Sequence, residues 1–231
     1  MILFNHSYNT PKENLAIDEA LLRLVDTGHY QEGICRIWES MDHFVVLGLS
    51  KKIDDDVHLE ACKRDGIPIL KRCSGGGTVL QGPGCFNYGF ILPMNYNLDL
   101  AGIGTTTSCI LSMVQERLEP MISKTEQRGI SDLVINNIKF SGNAQRRLKN
   151  AILFHGTILY DFDLSLISTY LKEPPIQPDY RKKRPHHQFI RNVSASHSAL
   201  MGAFIAKTND TMQIHEDLLP VELVNKYQPM A

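Results

Sequence analysis

The sequence predicts an α+β fold in which helices flank a mixed β-sheet, and three observations predict it. Short runs of apolar and β-branched residues recur along the chain, a few segments of helical periodicity interleave with them, and the composition is that of a packed globular protein. Hydrophobic residues make up 43% and charged residues 21% of 231 positions, enough for one sizeable core, so residues 1–231 are expected to form a single domain.

Thr10-Pro11-Lys12-Glu13 has capping-box spacing with proline at the first helical position, and Leu15, Leu21, Leu22 and Val25 continue an apolar face. This predicts a helix from about Pro11 to Val25. Cys35 to Trp38 and Phe44 to Leu47 are short apolar runs expected as two strands paired with each other. Asp54 to Arg64 opens with acidic residues and is followed by Gly66, the pattern of a second helix and its stop.

Pro68 to Arg72 reads as a strand running into Ser74-Gly75-Gly76-Gly77, with Thr78 to Leu80 and Asn87 to Leu92 as the strands after it. Glycines between strands are not a P-loop, which ends in Gly-Lys-Ser or Gly-Lys-Thr and leads into a helix. A third helix covers Thr107 to Leu118, and Asp132 to Ser141 forms a hairpin turning at Asn136-Asn137, residues that tolerate the positive φ of a two-residue turn. Ala151 to Tyr160 is a further strand, and Leu164 to Leu171 a short helix ended by Pro174-Pro175. Tyr180 to His187 is expected as an exposed loop, and Glu216 to Lys226 as a short helix.

Lys plus Arg number 24 against 25 for Asp plus Glu, so no global field draws the chain to a polyanion or a membrane, and an anionic ligand must be gripped locally. Five cysteines (Cys35, Cys62, Cys73, Cys85, Cys109) without Cys-x-x-Cys spacing indicate neither a disulfide framework nor a zinc site. Met1 to Phe4 is too short for a signal segment, and no apolar run approaches the roughly 18 residues of a membrane span. The cytoplasm is the expected compartment.

Three constellations carry chemistry. In Lys71 to Thr78 the glycines let the backbone approach a ligand and offer bare N–H groups to an anion, while Arg72 offers a fork of donors to phosphate oxygens; a flexible connector has the same glycine content. In the hairpin, a two-residue turn pairs Ile135 with Ile138, Val134 with Lys139, Leu133 with Phe140 and Asp132 with Ser141. Asp132, Val134, Lys139 and Ser141 then share one face, opposite the apolar Leu133, Ile135, Ile138 and Phe140. Asp132 and Lys139 become diagonal neighbours, which suits either a surface ion pair or a site for a nucleotide and its metal. His155-Gly156-Thr157 lies in an apolar strand, where the histidine suits a structural or a ligand-facing role and the glycine a close backbone approach. The basic run Arg181 to His187 lacks an aromatic stacking platform and reads as solvated rather than as a nucleic-acid patch.

Four of these segments together resemble one family. Lys71 to Val79 is similar to the Arg-Arg-x-Ser-Gly-Gly-Gly-Ala/Thr-Val motif of lipoate-protein ligases, Asp132 to Gln145 to their lysine segment, His155 to Leu159 to their His-Gly-Thr-Leu-Leu strand, and Asn14 to Leu21 to their first helix. The resemblance is to the lipoate-protein ligase A family and implies the biotin/lipoate protein ligase catalytic-domain fold. By it Arg72, Gly77, Thr78, Val79, Leu80, Asp132, Lys139 and Ser141 would contact ATP, with Asp132 near Mg²⁺. Ser74, Gly75, Gly76, Lys139, Gly142, His155, Gly156 and Thr157 would contact lipoate, whose acyl chain wants an apolar slot that the strands' side chains can supply.

The acceptors implied are lipoyl domains of 2-oxoacid dehydrogenase acyltransferase subunits and the glycine-cleavage H protein, with no nucleic acid and no membrane. Many of these ligases carry a C-terminal accessory domain that is not expected here. A separate accessory chain, activity without it, or transfer alone would each accommodate that difference. The octanoyltransferase relatives use a cysteine nucleophile in regions that lack cysteine here, while Cys73 and Cys85 are expected to pack as small apolar residues. An ATP-independent acyltransferase drawing on an acyl carrier, and a non-catalytic lipoate- or nucleic-acid-binding protein, are the competing readings.

Overall fold

The computed structural model describes residues 1–122, 124–208, 210–211 and 225–226, so the helix expected over Glu216 to Lys226 lies outside the described residues except at its end. An eight-stranded mixed sheet forms the centre. Its strands in chain order are β1 (Ile2–Asn5), β2 (Ile34–Trp38), β6 (Cys85–Pro93), β7 (Glu126–Arg128), β8 (Asp132–Ile135), β9 (Ile138–Arg147), β10 (Ala151–Leu159) and β11 (Asp210–Thr211). They lie in the order β11-β1-β2-β6-β10-β9-β8-β7. A second sheet of β3 (Phe44–Leu47), β4 (Ile69–Lys71) and β5 (Val79–Gln81) has the order β4-β3-β5.

One face of the large sheet is covered by α4 (Ile103–Leu118) and α7 (His197–Ile205), and its core joins Ile37, Tyr88, Phe90, Phe140 and Phe154 to Ile110, Val114 and Phe204. The other face receives α1 (Pro11–Asp26), which packs across β6 and β10 through Ile17, Leu21, Ile91 and Leu153. The α1 cap is the expected capping box, Thr10 and Glu13 each bonding the other's backbone N–H.

Several expectations need correction. The runs at β2 and β3 are strands but do not pair: β2 lies between β1 and β6, and β3 between β4 and β5. Both are buried at every position, so each requires neighbours on both edges, which a two-stranded ribbon would not supply. The helix over Asp54 to Arg64 is two helices, α2 (Ile53–Asp56) and α3 (Leu59–Asp65), because Val57 is extended and bridges Leu171 while His58 N–H bonds the Tyr170 carbonyl at the end of α5 (Ser165–Tyr170). Gly66 ends α3 in the left-handed conformation, as expected.

The basic segment is not a solvated loop. Arg181 and His186 are buried, and α6 (His186–Phe189) begins inside it. Glu173 explains this burial, pairing with the Arg181 guanidinium and accepting the His186 N–H at 3.1 Å. Of its Lys and Arg residues, Lys182 and Lys183, both left-handed, are the exposed ones.

Candidate active site

Cross-strand registry inlays polar residues into the α1-facing side of the sheet. One row runs Arg36, Gly89, His155, Ala144 across β2, β6, β10 and β9, and the next runs Trp38, Asn87, Thr157, Gly142, Asp132 as far as β8. Opposed residues share a face, so this side carries a cation, an amide, an imidazole and a carboxylate amid two apolar clusters.

The hairpin register holds at Ile135 with Ile138 and Val134 with Lys139, around Asn136 and Asn137 at φ 53° and 60°. It then slips. Leu133 opposes Ser141 and Asp132 opposes Gly142, which leaves Phe140 as the extra residue of a β-bulge. The expected pairs Leu133 with Phe140 and Asp132 with Ser141 are therefore one residue out. Ser141 turns to the helix-covered face and is buried there, so its side chain is not beside Asp132 and Lys139. Gly142 takes that place, and its missing side chain makes room for the Lys139 ammonium: a Cβ there would stand 2.8 Å from Nζ. Lys139 Nζ lies 2.6 Å from Asp132 Oδ1, and Tyr180 donates to Asp132 Oδ2 at 2.6 Å. Burial and the Asp132 charge push the Tyr180 phenol above its ordinary range, so it stays the donor.

Residues 72–78 form the glycine loop between β4 and β5. Arg72 folds it: Nε donates to Ser74 Oγ at 2.9 Å, and Nη2 to the carbonyls of Gly75 at 2.6 Å and Gly77 at 2.9 Å. The guanidinium fork is thus turned onto the loop's own backbone, and burial pulls its pKa down to about 10. Further hydrogen bonds tie the loop to its surroundings. Gly76 is left-handed at φ 89°, and the Ser74 carbonyl accepts the Leu49 N–H at 2.9 Å. Thr78 donates to Asp56 Oδ2 at 2.6 Å, and Lys51 lies 3.5 Å from the same oxygen.

His155 joins the two sides. Its Nε2 is 2.6 Å from Ser74 Oγ and its Nδ1 3.1 Å from Asp18 Oδ2, while Asp18 Oδ1 pairs with the fully buried Arg36. Arg36 also donates to the Asn14 carbonyl at 2.7 Å. Burial raises the Asp18 carboxyl, but the Arg36 charge and the His155 hydrogen bond outweigh it and hold the group below its ordinary value, ionised. Thr157 accepts from Gln81 at 2.6 Å and donates to Asn87 at 2.6 Å.

The family model described as the lipoyl protein ligase A/B catalytic domain matches residues 10–213. The chain belongs to that family. Lipoate-protein ligase A of Blochmanniella floridana is 26% identical over 233 residues, covering 98% of this chain and 62% of the relative, so the chain spans less than two thirds of that relative's length. Two solved structures share the fold. A bipartite lipoate protein ligase from Thermoplasma acidophilum, described with its E2 lipoyl domain, has a TM-score of 0.76 at 24% identity, covering 97% of this chain and 92% of its own. A lipoate-protein ligase A bound with ATP has a TM-score of 0.73 at 23% identity, covering 97% of this chain and 94% of its own.

In this member of the lipoyl protein ligase family, the glycine loop meets the sheet where Ser74 bonds His155 and Gly76 approaches Ala144, on the face where Thr157, Gly142 and Asp132 share a row and Lys139 reaches Asp132. Val79 packs beside Trp38 and Val46, whereas the Leu80 side chain points away, into the cluster of Val45, Leu47 and Ile69. Gly156 also faces away. A side chain there would fall on the Asn143 carboxamide, which takes the Tyr88 hydroxyl, so packing on the helix side requires this glycine. The apolar side chains of β10 divide between the two faces, Ile152, Phe154 and Ile158 lying in the helix-side core and Ala151 and Leu153 in the α1 cluster. Apolar surface on the site face comes from the strand residues Trp38, Val79 and Leu153 together with Leu15 and Ala16 of α1 and Cys73.

Asp18, Arg36 and Tyr180 were not anticipated as site residues. Asp18 and Arg36 do leave a signal, since each is a charge set among apolar residues, Asp18 on the Leu15-Leu22-Val25 stripe and Arg36 between Cys35 and Ile37. Nothing in the sequence marks Tyr180.

Proposed function

We propose that the chain activates lipoate with ATP to lipoyl-AMP and passes the lipoyl group to a lysine of an acceptor lipoyl domain. The observation that carries this reading is the Lys139 ammonium, held by Asp132 in the gap above Gly142 on the face that the glycine loop overlooks. A carboxylate attacking an α-phosphate builds negative charge that a preorganised ammonium offsets, and the backbone N–H groups of Gly75 to Gly77 suit the phosphates. Arg72 contributes by shaping that loop. Thr78, Val79 and Leu80 continue the nucleotide side, Leu80 through its backbone, while Ser74, His155 and Thr157 border the acyl side. Ser141 and Gly156 face the helix side, behind these residues.

Among the described residues no cluster of three or more His, Cys, Asp or Glu could hold a metal alone. A single carboxylate fits Mg²⁺, which is commonly held by one or two protein carboxylates together with substrate phosphates. Asp132 would hold it, and the ion would supply charge neutralisation at the phosphates. Transfer is then chiefly positioning, because the acyl-adenylate is already reactive and needs only the acceptor lysine and exclusion of water.

A cysteine acyltransferase finds less support: Cys85 is fully buried in β6 with its thiol pushed above its ordinary range by burial, and Cys73 packs in the α1 cluster. No helix among the described residues is long and apolar enough to cross a membrane. The setting proposed is the cytoplasm, and the acceptors proposed are lipoyl domains and H protein. In this proposal residues 1–231 act as one catalytic domain, which an added accessory chain would assist in adenylation if one exists. The test incubates the chain with ATP, Mg²⁺, lipoate and an apo lipoyl domain and weighs the acceptor. A lipoyl mass increment that requires ATP is expected. An unchanged acceptor, or acyl transfer from an acyl-carrier donor without ATP, would overturn the reading.

A further inference from the structure

A hydrogen-bonded chain runs from helix α1 through the sheet to the glycine loop, and the donor at each step can be assigned from chemistry. Asp18 is ionised and accepts only, so His155 presents Nδ1–H to it, and in the neutral imidazole this leaves Nε2 bare. Nε2 must then accept, and Ser74 Oγ donates to it across 2.6 Å. Ser74 Oγ in turn accepts from Arg72 Nε, whose other arm holds the Gly75 and Gly77 carbonyls. Every donor points the same way, from Arg72 through Ser74 and His155 to Asp18. Arg36 closes the far end.

Resting on the ligase assignment, we propose that Asp18, fixed by Arg36, is a positioning residue that holds the glycine loop in register over the reaction site by acting through His155 and Ser74. The fold supplies what this needs. Gly89 stands between Arg36 and His155 in the cross-strand row, so no side chain separates them, and a Cβ there would already meet the Cβ of His155 at 3.6 Å and of Arg36 at 4.0 Å. The Asp18 carboxylate descends from α1 and takes one partner on each oxygen. Asp18, Arg36 and Ser74 are all buried, so each link exchanges with water only when the assembly opens.

If Asp18 served only to tether α1 to the sheet, its pairing with Arg36 would suffice and the orientation of His155 would not matter to the loop. An amide at position 18 separates these cases. Asp18→Asn can turn its NH₂ toward Nδ1, which moves the imidazole proton to Nε2 and aims a donor at Ser74 Oγ. The bond then runs in reverse, from Nε2–H to Ser74 Oγ, and the serine proton loses its acceptor, which weakens the loop's tie to the sheet.

The experiment compares Asp18→Asn, Ser74→Ala and the double variant by hydrogen exchange of residues 73–79 in the ligand-free chain and by the KM for ATP and lipoate. Each single substitution is expected to speed exchange and to raise KM about tenfold with a smaller change in kcat, and the double variant to do no more than the larger single one. Should Asp18→Asn not fold for want of a partner to Arg36, His155→Gln replaces it in the cycle and leaves the Asp18–Arg36 pair intact. Unchanged loop exchange in Ser74→Ala, or additive effects in the double variant, would overturn the proposal. A wild-type chain that makes no lipoyl-AMP would sink the ligase assignment instead, and the exchange measurement, which needs no substrate, would still decide this one.

Discussion

Replacing Gly142 by alanine tests whether the position of the Lys139 ammonium matters, apart from its presence. The new Cβ would stand 2.8 Å from Nζ and 2.9 Å from Cε of Lys139, and 3.9 Å from Asp132 Oδ1. Ordinary non-bonded contact lies near 3.5 to 4 Å, so the end of the lysine must retreat by roughly 0.7 Å or more while the aspartate stays where it is. Gly142 is not one of the left-handed glycines, so alanine adds no backbone strain. The lysine tip is flexible and partly solvated and can move at little cost in stability, an expected change within about 0.5 kcal/mol.

Catalysis is less tolerant. A displacement approaching 1 Å at a group that stabilises developing charge costs on the order of 10²-fold in rate. Gly142→Ala is therefore expected to lower lipoate-dependent ATP–pyrophosphate exchange about 10²-fold with an unchanged thermal melt, and to add nothing in a Lys139→Ala background. Exchange at the wild-type rate would refute the argument, because the ammonium would then have moved without consequence. A melt lowered by several degrees would show that the methyl group strains the sheet itself.

Lys139→Ala is expected to abolish adenylate formation while leaving the melt intact, since the side chain is partly solvated and opens no core cavity; activity near wild type excludes its assigned role. Cys73→Ser and Cys85→Ser, made separately, should retain most turnover per folded molecule, although a hydroxyl in place of the buried Cys85 thiol costs about 1 to 3 kcal/mol in stability; loss of turnover with normal folding would point to an acyl-enzyme. Gly76→Val should weaken binding of a non-hydrolysable lipoyl-AMP analogue far more than it lowers the melt, because a Cβ there meets Arg72 Nη2 at 2.8 Å besides incurring about 1 to 2 kcal/mol of left-handed strain; equal affinity in calorimetric titration would make the loop a mere connector. The Asp18 carboxyl is held below its ordinary 3.8, so its contribution is present above that pH and is lost as pH falls through the depressed folded value. Asp18→Asn should therefore lower the urea midpoint at pH 7 and flatten its fall in acid, and an unchanged acid limb would remove the ion pair from the account.

How much of this was legible in the sequence follows from which constraints are local. The α1 capping box, the Gly66 stop and the Asn136-Asn137 turn are decided within a few residues, and all three stand as expected. Pairing of β2 and β3 was misjudged because nearness in sequence says nothing about the other edges that fully buried strands must satisfy. The hairpin shows the same limit at finer scale. Its turn fixes the first two pairs, but the Phe140 bulge depends on β10 and on the core beneath, which no two-strand argument contains.

That one-residue slip exchanges Ser141 for Gly142 beside Lys139, and so decides which residue borders the reaction site. The glycine-loop motif was legible as a unit, yet the role of Arg72 was not, since its donors turn to carbonyls three and five residues onward in its own loop. Asp18 and Arg36 could have been found: two opposite charges, each alone on an apolar stripe, are costly to bury unless they meet. Their meeting places a carboxylate beside His155 and leaves Nε2 free to receive Ser74. A pairing demanded by burial thus sets the proton order of the site, linking the first helix to the loop that the chemistry depends on.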